Sequence, residues 1–308
     1  MQASSQLRRD MKIVHKTCLL IAFMAAAANS AKAQLNPLSA QYYTNQYAIN
    51  PAFAGFSQGI RINGSYRKLW DNVPGAPLTQ NLTADYGFSR VGIGLTLNHE
   101  SAGLQRQTRA LASYAYHLKL NQNGDGLHFG VSMGILNQRL EDTDIYGNPN
   151  DPMVGQYNNR KTYLDGDFGI AYTSNRLTVQ ASIPNLKSFL KKETIKLADV
   201  GTFYSAVSYK FPITKGAEGI DAEPKVAYRG VKGFDNIWDA GVQVGIANQQ
   251  VFAMAMYHSS ENVTFGLGMD FRHKYMISGS YSTQTSALSA YTNGSFELNL
   301  RLSLGGDK

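Results

Sequence analysis

The chain has 308 residues, with 29 basic and 22 acidic side chains and a formal net charge of +7. Its single cysteine, Cys18, excludes a disulfide within the chain and a metal site built from several cysteines. The first 33 residues hold five basic residues and one acidic residue, so the rest has 24 against 21, or +3. This small excess gives no reason to expect nucleic-acid binding.

Residues 1–33 are predicted to be a signal peptide. Met11–Lys16 is basic, Thr17–Ala28 is apolar, and Ala31–Ala33 has the A-x-A form of a cleavage site. The mature chain would then begin at Gln34, after Sec-dependent export, and Met11 is a candidate true start. A retained anchor helix is the alternative, but a membrane span needs roughly 20 apolar residues.

Residues 34–58 form an irregular lead-in that is unusually aromatic. Asn50–Gly55 reads NPAFAG, in which Pro51 restricts Asn50 to an extended conformation and Gly55 permits a positive φ. A flexible tail is not expected to carry this many aromatic side chains, which are Tyr42, Tyr43, Tyr47 and Phe53. We expect the lead-in to pack into the mouth of a barrel or onto a partner, or merely to cap the barrel end.

Residues 59–308 alternate between apolar and polar side chains. In the last segment, Phe296, Leu298 and Leu300 alternate with Glu297 and Asn299, which is the period of a β-strand. Similar segments recur about fourteen times: 59–67, 77–87, 90–99, 106–118, 126–137, 162–173, 176–183, 202–212, 222–231, 236–246, 250–258, 262–272, 274–283 and 295–304.

Such strands predict an all-β fold, a transmembrane antiparallel up-and-down β-barrel of about 14 strands in the outer membrane. Each segment is near the roughly 9–11 residues that a tilted membrane strand needs. The even count and the alternation of tight and long connections fit bacterial barrels, with both termini on the periplasmic side. A soluble β-sandwich or solenoid is the alternative, and aromatic residues at the strand ends favour the membrane.

Sequence motifs for catalysis or cofactor binding are absent. The histidines have no metal-binding spacing, and no G-x-S-x-G, P-loop or dinucleotide motif is present. Asp165 and Asp167 share a strand face, and we expect them to line a wet lumen and to meet Arg or Lys there. The acidic segment 141–151 resembles the start of an EF-hand loop, but Tyr146 occupies the fifth loop position. We therefore predict no catalytic residues, no metal and no cofactor.

The first outer loop joins Tyr66–Trp70 to Gly75–Gln80. Trp70 is typical of an interfacial anchor, and Arg67 is a candidate for binding a partner or lipopolysaccharide. A later loop contains a run of lysines that would suit an acidic partner, or would simply be solvated. The predicted partner-binding residues are Asn50, Pro51, Ala52, Gly55, Arg67, Trp70, Gly75, Pro77, Lys187, Lys191 and Lys192.

The motifs Y-x-N…I-N-P-A-x-A-G at 43–55, Y-R-x-x-W at 66–70 and G-A-P-x-T at 75–79 resemble the PorP/SprF family. Val91–Leu95 and Ser113–Leu118 continue this resemblance. It implies a non-enzymatic outer-membrane component of the type IX secretion system. The implied partners are type IX substrates with C-terminal signal domains, such as gliding adhesins, and periplasmic components that include a peptidoglycan-binding lipoprotein.

The hypothesis is a docking platform that supports secretion or cell-surface retention. Loops 139–161 and 184–201 would hold the signal domain, and 50–55 would face the periplasmic machinery. About fourteen strands enclose a lumen too narrow for a folded domain. The main alternative is a passive porin or small-solute channel. A third reading, a lipid hydrolase, needs a Ser/His/acid cluster that the sequence does not assemble.

Overall fold

A computed structural model describes residues 41–70, 73–141, 162–186, 201–214, 219–231, 236–283 and 292–305. The predicted signal peptide, Lys187, Lys191, Lys192 and most of the two long loops lie outside the described residues.

The described chain is dominated by antiparallel strands. They are β1 (Gly59–Leu69), β2 (Leu78–Phe88), β3 (Val91–Ala102), β4 (Gln105–Lys119), β5 (Gly126–Leu140), β6 (Tyr163–Thr173), β7 (Leu177–Ile183), β8 (Gly201–Tyr209), β9 (Phe211–Pro212), β10 (Asp221–Val231), β11 (Ile237–Ile246), β12 (Val251–His258), β13 (Asn262–Phe271), β14 (Tyr275–Ser282) and β15 (Ser295–Leu304). The two-residue β9 continues β8 along β10 in the same register, so the wall has fourteen strands.

Each strand pairs with its neighbours in chain order, and β15 pairs with β1 to close the barrel. The closing register runs from Ile60 opposite Leu304 to Leu69 opposite Ser295. This closed antiparallel barrel confirms the predicted fold class, and the strand ends lie within three residues of the predicted ones. The prediction missed the interruption at Lys210, where β8 and β9 separate.

The side chains are arranged inside out compared with a soluble protein. Along β15, Phe296, Leu298 and Leu300 point outward and are exposed, while Glu297 and Asn299 are buried inside. The outer face can therefore meet lipid while the polar face lines the lumen. Within the described residues, no helix is long and apolar enough to cross a membrane.

The two ends of the barrel differ in their connections. The short-turn end carries tight turns such as Ser89–Arg90 and Arg272–Lys274, and β1 begins and β15 ends there. The long-loop end carries the connections around 141–162 and 184–200. That the short-turn end faces the periplasm stays a prediction.

The lead-in forms three short helical turns. They are an α-helical turn at Gln41–Thr44 and 3-10 turns at Gln46–Ala48 and Pro51–Phe53. The side-chain oxygens of Asn45 and Asn50 accept hydrogen bonds from the backbone N–H groups of Ala48 and Ala52. These caps satisfy donors at the starts of the 3-10 turns. Compact turns, instead of a strand, let the segment fold into a small volume within the barrel.

Candidate functional site

The lead-in lies inside the lumen, and we call residues 41–58 the plug. Among the described residues, its hydrogen bonds reach at least eight of the fourteen wall strands. The wall partners are Ser65 on β1, Thr83 and Asp85 on β2, Ser113 and His117 on β4, Ile170 on β6, Gln180, Ala181 and Ser182 on β7, Lys225 on β10, Asp239 on β11 and Arg301 on β15. Contacts on so many sides fix the plug across the lumen.

The first anchor of the plug is Tyr42, which is fully buried. Its hydroxyl donates to the Asp239 carboxylate, and its carbonyl accepts from the Lys225 ammonium at 2.5 Å. Arg229 Nε donates to the same carboxylate at 3.0 Å, and His258 Nδ1 lies 2.6 Å from it. Burial raises the pKa of the Tyr42 hydroxyl well above its usual value, so it remains a donor at neutral pH.

Lys225 completes this anchor. Its ammonium lies 4.4 Å from the ring centre of Tyr43 and 3.6 Å from Glu223 Oε1. A fully buried ammonium is costly unless it is paired, and here a carboxylate, a carbonyl and an aromatic face surround it. The charged groups of β10 and β11 are therefore organised around the start of the plug.

Asp239, His258 and Thr264 have the order of an acid–His–hydroxyl triad, which the sequence did not reveal. His258 Nε2 lies 2.9 Å from Thr264 Oγ1, and that hydroxyl lies 2.7 Å from Ser282 Oγ. All three triad-like residues are fully buried, so no substrate reaches the hydroxyl in this structure. The arrangement fixes the Asp239 carboxylate in place for Tyr42.

The second anchor is the segment 50–55, which is held by the Asn50 amide and by its own backbone groups. Asn50 Nδ2 donates to the carbonyls of Ile170 and Ala181, each at 3.2 Å. The Gly55 N–H donates to Asp85 at 2.9 Å, and His117 Nε2 lies 3.0 Å from the Ala54 carbonyl. This segment therefore satisfies its backbone groups against the wall.

Wall glycines make room for the second anchor. A Cβ added to Gly130 would lie 2.2 Å from the carbonyl carbon of Pro51. One added to Gly92 would lie 1.8 Å from the Ala54 oxygen, and one on Gly169 would lie 1.9 Å from Asn50 Oδ1. Such approaches are possible only without a side chain. Gly55 itself has φ +61°, a conformation that favours glycine.

The structure buries Asn50, Pro51, Ala52 and Gly55 between plug and wall. In this conformation they hold the plug against the wall. Their role in binding a partner stays a prediction. Arg67 is also inside the barrel, only 6% exposed, with Nη2 3.4 Å from Ser295 Oγ. Arg67 therefore lies with the lumen groups and not with the first outer loop.

The remaining described candidates lie at the long-loop end. The Trp70 N–H donates to the Gly294 carbonyl at 3.2 Å, and the Gly75 carbonyl accepts from Gly103 N–H at 2.8 Å. The Pro77 carbonyl accepts from Leu69 N–H at 2.9 Å. The first loop is thereby fixed against the neighbouring β3–β4 turn. The structure does not bring these residues into contact with the second anchor.

The expected pairing of Asp165 and Asp167 is confirmed. Arg109 Nη2 lies 2.9 Å from Asp165 Oδ2 and 2.6 Å from Asp167 Oδ1, across β4 to β6.

Sequence reasoning missed the Tyr42–Asp239–Lys225 anchor. The available signal was the charge at lumen-side positions of β10 and β11. Among the described residues, no group of three or more His, Cys, Asp or Glu side chains could hold a metal ion.

Comparison with known proteins gives distant structural likenesses. The chain is similar to the Acinetobacter baumannii outer membrane protein Omp33, at 8% identity and TM-score 0.48, over 81% of this chain and 100% of that one. It is similar to the P. putida toluene transporter TodX, at 12% identity and TM-score 0.41, over 84% and 92%. It is also similar to the KdgM porin, at 9% identity and TM-score 0.38, over 80% and 99%. No curated protein sequence matches the chain.

A family model gives the assignment. The model described as type IX secretion system membrane protein PorP/SprF matches residues 31–302, which include the plug and almost all of the barrel. The chain belongs to the PorP/SprF family of type IX secretion system membrane proteins.

Proposed function

We propose that this protein is a plugged, non-enzymatic barrel that serves the type IX secretion system as a docking platform and not as the export pore. It supports secretion, cell-surface retention of secreted substrates, or both. The membership in PorP/SprF supports the role in this system. The plug, bound to at least eight strands across the lumen, is the observation that carries the docking role over a porin role.

A closed lumen follows from the cost of moving the plug. Its first anchor places Tyr42 among Asp239, Arg229 and Lys225, and breaking one partner of a buried charged group costs several kcal/mol. Its second anchor adds hydrogen bonds to wall carbonyls. A solute would have to displace both anchors, so free diffusion through the seated barrel is disfavoured.

In this proposal, the substrate's C-terminal signal domain binds at the long-loop end, to the loops 139–161 and 184–201 with Trp70, Gly75 and Pro77. Periplasmic components, including a peptidoglycan-binding lipoprotein, bind at the opposite end. The fold and the family together support an outer-membrane location. Export by the Sec pathway and removal of residues 1–33 belong to the proposal.

The test combines purification and conductance. The protein is purified from its native outer membrane in mild detergent, co-eluting proteins are identified by mass spectrometry, and conductance is measured in planar bilayers. We expect a near-stoichiometric type IX substrate or periplasmic lipoprotein and little conductance. A variant lacking residues 41–55 is the control for an unplugged lumen and should conduct more. A wild-type protein that elutes alone and conducts ions steadily would overturn docking in favour of a porin.

A further inference from the structure

Basic residues lie around the lumen opening at the short-turn end. They lie in turns, at the end of a strand or at the break between β8 and β9, along the wall from β2 to β8 and again at the β13–β14 turn. They are Arg90 between β2 and β3, Lys119 at the end of β4, Arg176 before β7, Lys210 after β8, and Lys274 between β13 and β14. We call these five residues the basic ring.

One residue of the basic ring lies within a strand. Lys119 ends β4, two positions after the lumen residue His117, so alternation along the strand gives it a lumen-side position. The other four lie just outside the strands, near the lumen residues Gly92, Gln180, Ser208 and Met276. Arg272 lies in the same turn as Lys274 but is not part of the ring, because its guanidinium carbon lies 5.2 Å from the ring centre of the outward-facing Phe271.

Most of the ring has no compensating anion. Lys210 Nζ lies 3.5 Å from Asp221 Oδ2. The other four are exposed, and the structure records no ion pair for any of them within the part of the chain that it describes. The nearby Asp125 carboxylate accepts from Asn121 Nδ2 at 2.6 Å, within its own loop. Several unpaired charges of one sign create a field that attracts acidic partners.

An exposed aromatic side chain of the plug lies inside this ring. Phe56 is 43% exposed, and its ring meets His128 and His117 edge-on, with centroids 5.1 Å and 6.1 Å away. An aromatic centre with a charged rim is the usual anatomy of a protein-binding surface.

We propose that the basic ring and Phe56 form a docking surface for an acidic protein segment at the lumen mouth. Carboxylates of the partner meet the ring, and an apolar side chain of the partner packs on Phe56. The inference rests on the proposed docking function only in assigning this end to a periplasmic partner. The charge pattern stands without that assignment.

The test uses the full mature chain in uncharged phosphatidylcholine nanodiscs. The probe is fluorescein-labelled decaglutamate, read by anisotropy, with decalysine as the control peptide. We expect decaglutamate alone to bind, and its affinity to fall about tenfold or more as salt rises, because exposed charges are screened. The variant R90Q/K119Q/R176Q/K274Q should lose this binding while keeping a folded barrel by circular dichroism.

A matched variant, R106Q/R139Q, removes basic residues from the long-loop end and should bind like wild type. A second probe with one central Leu among its glutamates should bind more tightly than decaglutamate, and Phe56→Ala should remove only that gain. Equal binding by the four-site variant and wild type overturns the proposal. So does ring-dependent retention of phosphatidylglycerol without peptide binding, which would assign the ring to lipid. Substrate co-purification is measured separately, so either proposal can fail alone.

Discussion

The two anchors of the plug hold it by different physics. The first places Tyr42 in a cluster of buried charged and polar groups on β10, β11 and β12. The second places the segment 50–55 against wall glycines on β3, β5 and β6, with close backbone contact and hydrogen bonds to wall carbonyls and to Asp85. The first depends mainly on charge balance, and the second depends mainly on shape.

This difference indicates which part of the plug can be released from the wall and which part stays fixed. Removing one charge from the first anchor leaves its partners buried and unbalanced, so a local change has a large effect there. The second anchor lies next to the start of β1, so the chain itself keeps it close to the wall. We therefore expect the start of the plug to detach more easily than its end.

Asp239→Asn is the change with the largest expected effect. It leaves Arg229 buried without its carboxylate, at a cost of about 3–5 kcal/mol. The start of the plug should then leave the lumen so that water reaches the charge. Maleimide labelling of a Thr44→Cys reporter should rise at least about tenfold, since 1.4 kcal/mol is a factor of ten.

A reporter at the other anchor sharpens this comparison. With Phe53→Cys in place of Thr44→Cys, labelling in the Asp239→Asn variant should stay near that of the reporter alone. If both reporters become reactive together, the plug moves as one body and the two anchors are not separable. Cys18 is the chain's one natural cysteine and lies in the predicted signal peptide, so the reporters would be unambiguous in a chain that has lost this segment.

Gly130→Val disrupts the second anchor by a steric clash and should have the next largest effect. Its Cβ would meet backbone atoms of Pro51 and Ala52 at 2.2 and 2.3 Å, and overpacking of this kind costs about 3 kcal/mol. Labelling of Phe53→Cys should increase, and the Thr44→Cys reporter should change less. Gly64→Val is the matched control, because a Cβ there meets nothing within 4 Å. Unchanged labelling at Phe53→Cys would show that the wall yields there instead of the plug.

The sequence predicted the wall of this barrel closely because a membrane strand has a repeating pattern. Phe296, Leu298 and Leu300 alternate with polar residues over a length set by the bilayer, and the strand ends follow. The pattern does not specify the plug. Tyr42 and Asp239 are 197 positions apart, and their contact depends on closing the barrel first.

The role of the wall glycines was not predicted for the same reason, since the strand pattern does not specify the plug. Gly92, Gly130 and Gly169 each occupy one lumen-side position in an alternating strand. A small residue fits the pattern there and does not by itself indicate a contact with the plug. Only the position of the plug reveals why a side chain is excluded. Asn50 and Pro51 were recognisable as a turn, since their chemistry is local, but the wall carbonyls that Asn50 meets lie about 120 and 131 positions further on.

Tyr42→Phe should have the smallest effect, because it removes one donor to Asp239 and keeps the ring, a loss of about 1.5 kcal/mol. It also tests pH dependence. Burial raises the pKa of Tyr42 in the bound plug. The contribution of the Tyr42 hydrogen bond to the stability of the bound plug is therefore fully present below the free phenol's pKa of about 10. Stability is lost as pH rises beyond that value, because only the released phenol ionises readily. A spin label at Ala48→Cys should become mobile above about pH 10 in wild type. In the Tyr42→Phe variant, mobility should be slightly higher at neutral pH and should not rise further with alkali. An equal alkaline transition in both proteins would assign it to a group other than Tyr42.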